Sequence, residues 1–394
     1  MSWPTVKLGD VMTVGRGSSP RPIKDERFFT GGTIPWVKIA DATASGKFIF
    51  KTNEYVNEYG ASFSRRLQPG SLIFPASGTR GIPRFLGVEA CIHDGWLYFS
   101  DYNGIDPAWL YYRLILLKSY YESIAYGAAI QNINTDIVRN TEIQLPDIKT
   151  QQSISAVAKN YDDLIGNNQR RIALLEESAR LLYREWFVNL RYPGGQQKFG
   201  SVPAGWEVRP MTEMAIVNRA SLSSKDKPEA IQYIDIASVE TGVVTSTTKM
   251  QYADAPGRAR RLVQHGDVIW SCVRPNRRSY AMIWNPDADV VVSTGFAVLT
   301  AKTVPFTYLY LACTSDEFVA YLTNRATGAA YPAVSGKDFE EAQLLCPDQD
   351  VLLDFHERCL PFFELRNELI RENGLLGEAR NALLPKLMSG EIQV

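Results

Sequence analysis

Arginine is concentrated in two turn-rich segments, each of which directly follows a short apolar run. The first segment comprises residues 76–84 and the second comprises residues 272–278. Thr79 in the first and Asn276 in the second add further hydrogen-bonding side chains. Arginine can bond bidentately to guanine, and asparagine to adenine, in the major groove of DNA. Loops of this composition could therefore read base edges.

Two further pairs of basic segments occur at corresponding places in the chain. Residues 64–67 and 260–263 each contain two adjacent arginines, which suits phosphate anchoring. The early loops 16–21 and 219–227 form the third pair. Any one of these side chains could equally be a solvated surface charge. The candidate DNA-contacting residues are Arg16, Arg21, Arg65, Arg66, Thr79, Arg80, Arg84, Arg219, Lys225, Arg260, Arg261, Arg274, Asn276, Arg277 and Arg278.

Residue patterns for catalysis are missing from the sequence. There is no G-x-x-x-x-G-K-[ST] phosphate loop, no G-x-G-x-x-G dinucleotide motif and no Asn/Asp-Pro-Pro-aromatic motif of an adenine methyltransferase. Pro146-Asp147 and Pro347-Asp348 lack the acidic-x-Lys partner of a nuclease, and we interpret them as helix boundaries with aspartate as a possible cap. We therefore expect no catalytic residue and no cofactor bound by this chain.

Composition restricts the remaining possibilities. A length of 394 residues favours two to three domains, and 45% hydrophobic with 22% charged residues is ordinary for a globular protein. The net charge of −1 provides no overall basic field, so DNA binding would need local patches. Five cysteines without C-x-x-C spacing, and three histidines, predict reduced thiols and no metal site. Residues 1–7 do not resemble a signal peptide, which favours a cytoplasmic location.

The chain contains an internal repeat. Gly127-Ala128-Ala129 and Leu145-Pro146-Asp147 return, at the same separation, as Gly328-Ala329-Ala330 and Cys346-Pro347-Asp348. Both copies contain short apolar runs bounded by Gly and Pro, which predict strands, and then an aromatic helical stretch. These strands and helices predict two pseudo-symmetric domains of the α+β class. The paired runs are 34–39 with 231–236, 70–74 with 266–270, 96–99 with 295–299, and 106–119 with 305–323.

Residues 151–187 contain an unbroken heptad pattern, the strongest periodic signal in the sequence. It predicts a helix of roughly 55 Å. Asn168 is the one polar member, and it would disfavour misregistered pairing at some cost in stability. The predicted seam comprises Ile154, Ala158, Tyr161, Ile165, Asn168, Ile172, Leu175, Ala179, Leu182 and Trp186.

A second amphipathic stretch, residues 351–388, is less regular and contains Pro361, which should kink or restart the helix. Because one long amphipathic helix cannot bury its stripe alone, we expect the two helices to form an antiparallel coiled coil. The alternative is that each helix packs only on its own domain. The predicted second seam comprises Phe355, Cys359, Phe362, Leu365, Leu369, Leu376, Ala379, Leu383 and Leu387.

Several segments resemble the specificity subunit of type I restriction–modification systems. Residues 181–188, followed by Pro193, are similar to the end of its first helical spacer, and residues 383–392 to the end of the second. Residues 3–11 and 205–208 are similar to the starts of its two target-recognition domains. The order and spacing of these segments extend the resemblance over essentially the whole chain.

The resemblance implies two target-recognition domains, 1–147 and 204–347, two helical spacers, 148–190 and 348–390, and a linker, 191–203. It implies a non-catalytic subunit that reads a bipartite, asymmetric DNA sequence, with the helices setting the gap between the half-sites. Two methylating subunits would transfer a methyl group from S-adenosylmethionine to adenine N6, and endonuclease/translocase subunits would cut unmodified DNA. The alternative is a coiled-coil scaffold protein without sequence-specific DNA binding.

Overall fold

A computed structural model describes residues 3–43, 45–76, 82–127, 133–195, 202–223, 225–226 and 228–394. The chain divides into two compact units. Unit 1 consists of Met1–Gly166 and Asn373–Val394, and unit 2 consists of Asn167–Glu372. Each unit therefore contains one copy of the repeat and one segment of each long helix.

The first copy begins with eleven short strands and six short helices among the described residues, and ends in a long helix. Its strands are β1 Thr5–Lys7, β2 Thr13–Arg16, β3 Ile34–Val37, β4 Phe48–Ile49, β5 Tyr55–Val56, β6 Arg65–Leu67, β7 Leu72–Pro75, β8 Arg84–Leu86, β9 Ala90–Ile92, β10 Trp96–Ser100 and β11 Glu142–Gln144. Its helices are α1 Leu8–Val11, α2 Ile39–Thr43, α3 Glu58–Ala61, α4 Pro107–Leu116, α5 Lys118–Gly127, α6 Thr135–Arg139 and the long α7 Ile148–Tyr183, which continues as a π-helical turn, Arg184–Val188.

The second copy repeats this order. Its strands are β12 Glu207–Pro210, β13 Ala215–Val217, β14 Ala230–Ile234, β15 Val239–Val244, β16 Thr248–Gln251, β17 Ala259–Leu262, β18 Val268–Ser271, β19 Tyr280–Met282, β20 Val290–Ser293, β21 Phe296–Ala301 and β22 Gln343–Cys346. Its helices are α8 Met211–Met214, α9 Phe306–Cys313, α10 Asp316–Arg325, α11 Gly336–Glu340 and the long α12 Gln349–Ser389.

Sheet topology is the same in both units. Unit 1 has sheets ordered β1-β11, β2-β10-β7-β8-β4 and β5-β3-β9-β6. Unit 2 has the corresponding orders β12-β22, β13-β21-β18-β19-β15 and β16-β14-β20-β17. Even the parallel pairs recur, since β3 lies parallel to β9 and β14 lies parallel to β20. The internal repeat seen in the sequence is therefore a repeat of topology.

Each five-stranded sheet packs against aromatic helices. In unit 1, Trp109 and Tyr112 of α4 are buried, and Asp106 caps this helix by accepting from the backbone N–H of Trp109. In unit 2 the corresponding helices are α9 and α10, and Ser315 caps α10 by accepting from the backbone N–H of Phe318. The aromatic residues thus serve chiefly as core, and they hold the sheet loops in place.

The two long helices pair antiparallel within each unit. In unit 1, Arg380 of α12 donates to Asp162 of α7 at 2.6 Å. In unit 2, Trp186 contacts Phe355, with 5.6 Å between ring centroids. Within unit 2, the α12 partners of Asn168, Glu176 and Trp186 are Glu372, Arg366 and Phe355, so the partner numbers fall as the α7 numbers rise. None of the predicted α7 seam residues is exposed. Asp147 caps α7, as proposed from the sequence, by accepting from the N–H groups of Lys149 and Thr150.

The second helix differs from the sequence prediction at two places. Helix α12 continues through Pro361, so of the two predicted effects, a kink or a restart, the restart is wrong. Cys359 and Phe363, on either side of the proline, are buried in the core of unit 2, and this packing stabilises the helix where proline lacks a backbone donor. Leu365 is 39% exposed, whereas its neighbour Arg366 is 4% exposed. The prediction for Leu365 is therefore wrong, because an ion pair occupies the inward position. Ala379 is exposed, and Phe363 is more deeply buried than Phe362.

No helix among the described residues combines the length and the apolar composition needed to cross a membrane.

Candidate nucleic-acid interface

In unit 1, basic side chains converge on the turn between β9 and β10. Arg16 donates its Nε–H to the carbonyl oxygen of Asp94 at 2.8 Å, and Arg21 pairs with the carboxylate of Asp94. The hydroxyl of Ser19 donates to the same carboxylate at 3.1 Å. Asp94 thus holds the loop that follows β2 against the turn. The remaining N–H groups of the two exposed guanidinium groups are available to phosphate oxygens.

Gly17 permits this close approach. A Cβ atom at position 17 would lie 2.3 Å from the carbonyl oxygen of His93, so no other residue fits there without a shift of the backbone. His93 accepts from the N–H of Gly95 through Nδ1, and its Nε2 lies 3.0 Å from Asp94. Burial lowers the pKa of His93, with an opposing effect from Asp94 and further lowering by Lys38, Arg21 and Arg16. Four basic side chains therefore lie around this turn, namely Arg16, Arg21, Lys38 and Arg65 of β6, whose guanidinium lies 5.3 Å from the ring of Tyr98.

The adjacent arginines of β6 have different environments. Successive side chains point to opposite faces of a strand. Arg65 lies beside Ile92 and the turn described above, whereas Arg66 forms ion pairs with Glu58 at 2.9 Å and with Glu89 at 2.5 Å. Two carboxylates neutralise Arg66, so Arg65 is the better phosphate ligand of the pair.

The arginine loop after β7 is only partly described. Thr79 and Arg80 lie outside the described residues, as does the rest of 77–81. Arg84 is half-buried and donates to the carbonyl oxygen of Ala42 at 3.1 Å, and burial lowers its pKa. Because its donors are used inside the unit, Arg84 supports the loop and has little capacity for contact with DNA.

The corresponding loop of unit 2 is fully described. Arg274 and Arg278 adopt left-handed conformations, with φ of 52° and 56°, on either side of a short 3₁₀ turn, Pro275–Arg277. Such conformations are strained for side chains other than glycine. They turn the chain sharply, and Asn276 and Arg277 are exposed at its tip. These two side chains are best placed to reach base edges.

A neighbouring loop supports the arginines at the base of this turn. The guanidinium carbon of Arg274 lies 4.6 Å from the ring centroid of Tyr331, and Arg274 donates to the carbonyl oxygen of Ala330 at 3.2 Å. Arg278 pairs with Asp316 at 2.6 Å. Tyr331, which is 69% exposed, follows the repeated Gly-Ala-Ala motif. Sequence reasoning missed this residue, although its position directly after the strongest repeat motif was a usable signal.

Strand register shows which basic residues correspond between the units. Phe99 pairs with Val14 in unit 1, and Leu299 pairs with Val217 in unit 2. The residues two positions after Val14 and Val217 are Arg16 and Arg219, which are therefore equivalent. By the same reasoning Arg65, opposite Ile92, corresponds to Arg261, opposite Val292.

The remaining candidates of unit 2 fall into two classes. Arg219 and Lys225 are exposed. Arg260 donates to the hydroxyl of Tyr252 at 2.8 Å, and Arg261 is half-buried with a pKa lowered by burial. Of the candidate set in unit 2, the exposed Arg219, Lys225, Asn276 and Arg277 retain the most donors for DNA. Lys227 lies outside the described residues.

The aromatic and apolar residues near the helix ends were considered as docking positions for a partner helix. Trp186 and Phe187 are buried in the core of unit 2, and Leu387 and Met388 are buried in the core of unit 1. Core packing, the other interpretation of these residues, therefore accounts for them.

The amino-acid sequence is similar to those of known proteins. The family model described as type I restriction modification DNA specificity domain matches residues 1–177. The MjaIX specificity subunit of Methanocaldococcus jannaschii is 22% identical over 409 residues, which cover 100% of this chain and 94% of that protein. The MjaVIII specificity subunit of the same organism is 21% identical, with coverage of 100% and 93%.

Structural similarity leads to the same group of proteins. The crystal structure of the type I restriction-modification system S subunit from M. genitalium superposes with a TM-score of 0.58 at 14% identity, covering 98% of this chain and 96% of that one. This likeness confirms the predicted α+β fold with two sheet-rich domains and two long helices. Over its whole length the chain is thus similar to specificity subunits of type I restriction–modification systems, and its first 177 residues match the model of their DNA specificity domain.

Proposed function

We propose that the chain is the DNA-recognition subunit of a type I restriction–modification complex, and that each unit reads one half of a bipartite, asymmetric target. The observation that carries this proposal is the arginine-bearing loop surface repeated in both units. Equivalent positions, such as Arg16 and Arg219, keep a basic residue and suit phosphate contacts. The exposed tip at Asn276 and Arg277 suits base contacts specific to one half-site.

Catalysis is assigned to partner subunits. In this proposal the chain binds no cofactor, and two methylating subunits supply S-adenosylmethionine and transfer its methyl group to adenine N6. Endonuclease/translocase subunits join the same complex and cut unmodified targets. The sequence supports this division, because it contains none of the nucleotide-binding or methyltransferase motifs that such reactions need.

Helix α7 and the π-helical turn offer a surface for a methylating subunit. Leu174, Leu181 and Val188 recur at heptad spacing and are 62%, 47% and 51% exposed. They lie outside the seam that pairs with α12. A partner helix would bury this stripe, as in coiled coils. Replacement of Leu174 and Leu181 by Ser should weaken assembly with the methylating subunit and leave the fold intact. Gln169→Ser, an exposed change on another face of α7, should leave assembly unchanged.

A methylation assay with the reconstituted complex tests the proposal. The chain is mixed with its cognate methylating subunit and offered a pool of random DNA duplexes with S-adenosylmethionine. We expect one bipartite motif to be enriched among the methylated molecules. A complex that forms but methylates without sequence preference would support the scaffold alternative. Binding of labelled S-adenosylmethionine by the isolated chain would contradict the assignment of cofactor binding to the methylating subunits.

A further inference from the structure

One buried ionic cluster in each unit joins the sheet domain to both long helices. In unit 1, Lys47 precedes β4 and donates to the hydroxyl of Tyr112 at 2.8 Å. That hydroxyl donates to the carboxylate of Asp162 on α7 at 2.6 Å, and Arg380 of α12 donates to the second carboxylate oxygen at 2.6 Å. The side chains of Lys47 and Asp162 are only 18% and 14% exposed.

Unit 2 achieves the same connection with different residues. Arg366 of α12 pairs with Glu176 of α7 at 2.7 Å and donates a further hydrogen bond to the carbonyl oxygen of Gly242, at the edge of the sheet domain. The side chain of Arg366 is 5% exposed. One turn further along α7, Arg180 donates to the hydroxyl of Tyr280 and to Thr314. Here too, groups from both helices and the sheet domain meet in one cluster.

The two clusters occupy matching places along the helices. Asp162 and Glu176 are separated by two heptads on α7, and Arg380 and Arg366 by two heptads on α12. Both acids therefore take the same heptad position on one helix, and both arginines take the same position on the other. A random surface charge would not recur in this way with burial at both sites.

Buried ion pairs of this kind contribute geometry more than stability. Removing charges from water is costly, so a buried pair is weak evidence for stability and can be replaced by apolar residues. Its hydrogen bonds are directional, and breaking one partner leaves an uncompensated charge. Apolar contacts are not directional, so a sheet domain held on the helices by them alone could shift when the side chains at the contact change rotamer. The directional bonds of Lys47 and of the Gly242 carbonyl favour the orientation in which they form.

We propose that these two clusters are positioning devices, which fix the orientation of each recognition domain on the helical pair and so determine which gap between the half-sites is accepted. Lys47, Asp162 and Arg380 act in unit 1, and Arg366 and Glu176 act in unit 2. The inference rests on the proposed function, because it concerns how the recognised half-sites are spaced.

The experiment uses the complex of the full chain with its methylating subunit. Duplexes contain the motif mapped for the wild-type complex, with the native gap or with one base pair more or fewer. Lys47→Met removes the charge while keeping the length of the side chain, and Lys47→Arg restores a donor. The double variant Arg366→Met with Glu176→Leu removes both charges of the second cluster, which avoids a stranded buried ion. The matched control is Lys159→Met, which removes an exposed ion pair with Asp163 on the same helix, α7.

We expect Lys47→Met and the double variant to lower the preference for the native gap by on the order of tenfold, since each loses directional bonds to a charged group. Preference for the bases within each half-site should stay unchanged, as should the thermal unfolding midpoint of the double variant. Lys47→Arg and Lys159→Met should retain the wild-type gap preference. This readout separates positioning from stability, because a merely destabilised chain loses activity on all gaps together.

Two outcomes would overturn the inference, and they differ from failure of the proposed function. If Lys47→Met and the double variant methylate the gap series with the wild-type ratios, the clusters do not position the domains. If both variants lose activity equally on every gap, or lose base preference as well, the role is structural. Should the wild-type complex itself have no bipartite motif, the proposed function fails before any variant is compared.

Discussion

The guanidinium group of Arg274 lies over the ring of Tyr331, 4.6 Å from its centroid, and this contact joins the arginine loop of unit 2 to the repeated Gly-Ala-Ala segment. The backbone reinforces it, since Arg274 N donates to the carbonyl oxygen of Pro332 at 2.7 Å. A loop held at its base in this way presents Asn276 and Arg277 with little freedom. Preorganisation of this kind lowers the entropic cost of binding.

Replacement of Arg274, Arg277 and Arg278 by Ala should impair one half-site only. Each good bidentate contact contributes about 1–3 kcal/mol of discrimination against the wrong base. We therefore expect the methylated motif to lose preference in one half and keep it in the other. Sequencing of the motif methylated by the variant complex measures this. Arg371→Ala, an exposed change on α12, is the control, and equal loss in both halves would contradict modular reading.

Stability should change in opposite directions when alanine replaces Gly374, within α12, and Gly390, directly after α12. Gly390 has φ of +75°, and a Cβ there would lie 3.1 Å from the ring of Trp3, so Gly390→Ala should destabilise unit 1 by about 1 kcal/mol. Gly374 is helical and faces open space, so Gly374→Ala should stabilise by about 0.5–1 kcal/mol. Chemical unfolding of the two variants measures both effects. A Gly390→Ala variant as stable as the wild type would show that the conformation at this position does not require glycine.

Asn168 should determine pairing specificity at the expense of stability. It is 4% exposed and donates to Glu372 at 3.2 Å. A polar residue in the seam penalises other registers and partners. Asn168→Leu should raise the free energy of unfolding by about 1 kcal/mol and increase the share of dimers. Light scattering after gel filtration measures the second effect, with the exposed neighbour change Asn167→Leu as control. A variant that stays monomeric would remove the specificity role.

Protonation of His93 should lower the free energy of unfolding in mild acid. Burial lowers the pKa of this imidazole below its ordinary value of about 6.5, so the unfolded chain binds a proton more readily than the folded one. Stability from the neutral ring is complete above about pH 6.5 and is lost as the pH falls towards the lowered value. Unfolding midpoints at pH 7.5 and 5.5 should therefore differ less for His93→Gln than for the wild type. An identical difference would exclude His93 as the source.

The fold was predictable because its signals are local or periodic. The heptad spacing on α7 and the Gly- and Pro-bounded apolar runs depend on neighbouring residues. The repeat supported each predicted strand, because a corresponding apolar run occurs in the other copy. Arg366 could not be anticipated, because its burial depends on Glu176 and on the Gly242 carbonyl, which are distant in sequence. The restart predicted at Pro361 was wrong for the opposite reason, because packing of the flanking Cys359 and Phe363 in the core of unit 2 overrode a local rule.

The candidate site was predictable only by residue type. Arg66 and Arg84 were candidates on the same grounds as Arg65, yet ion pairs with Glu58 and Glu89 hold the first, and burial against Ala42 holds the second. Sequence cannot distinguish these cases, because the partner of a charge is set by tertiary contacts. Tyr331 was missed because residue type does not separate an exposed aromatic side chain from a core one; only its position after the repeated Gly-Ala-Ala motif distinguishes it.

The map of N6-methyladenine in a cell carrying this subunit and its methylating partner tests the central claim most directly. Two recognition domains on one helical pair predict a single asymmetric motif, with two different half-sites separated by one fixed gap. Methylation at several gap lengths, at a symmetric or continuous site, or without sequence preference would contradict the account.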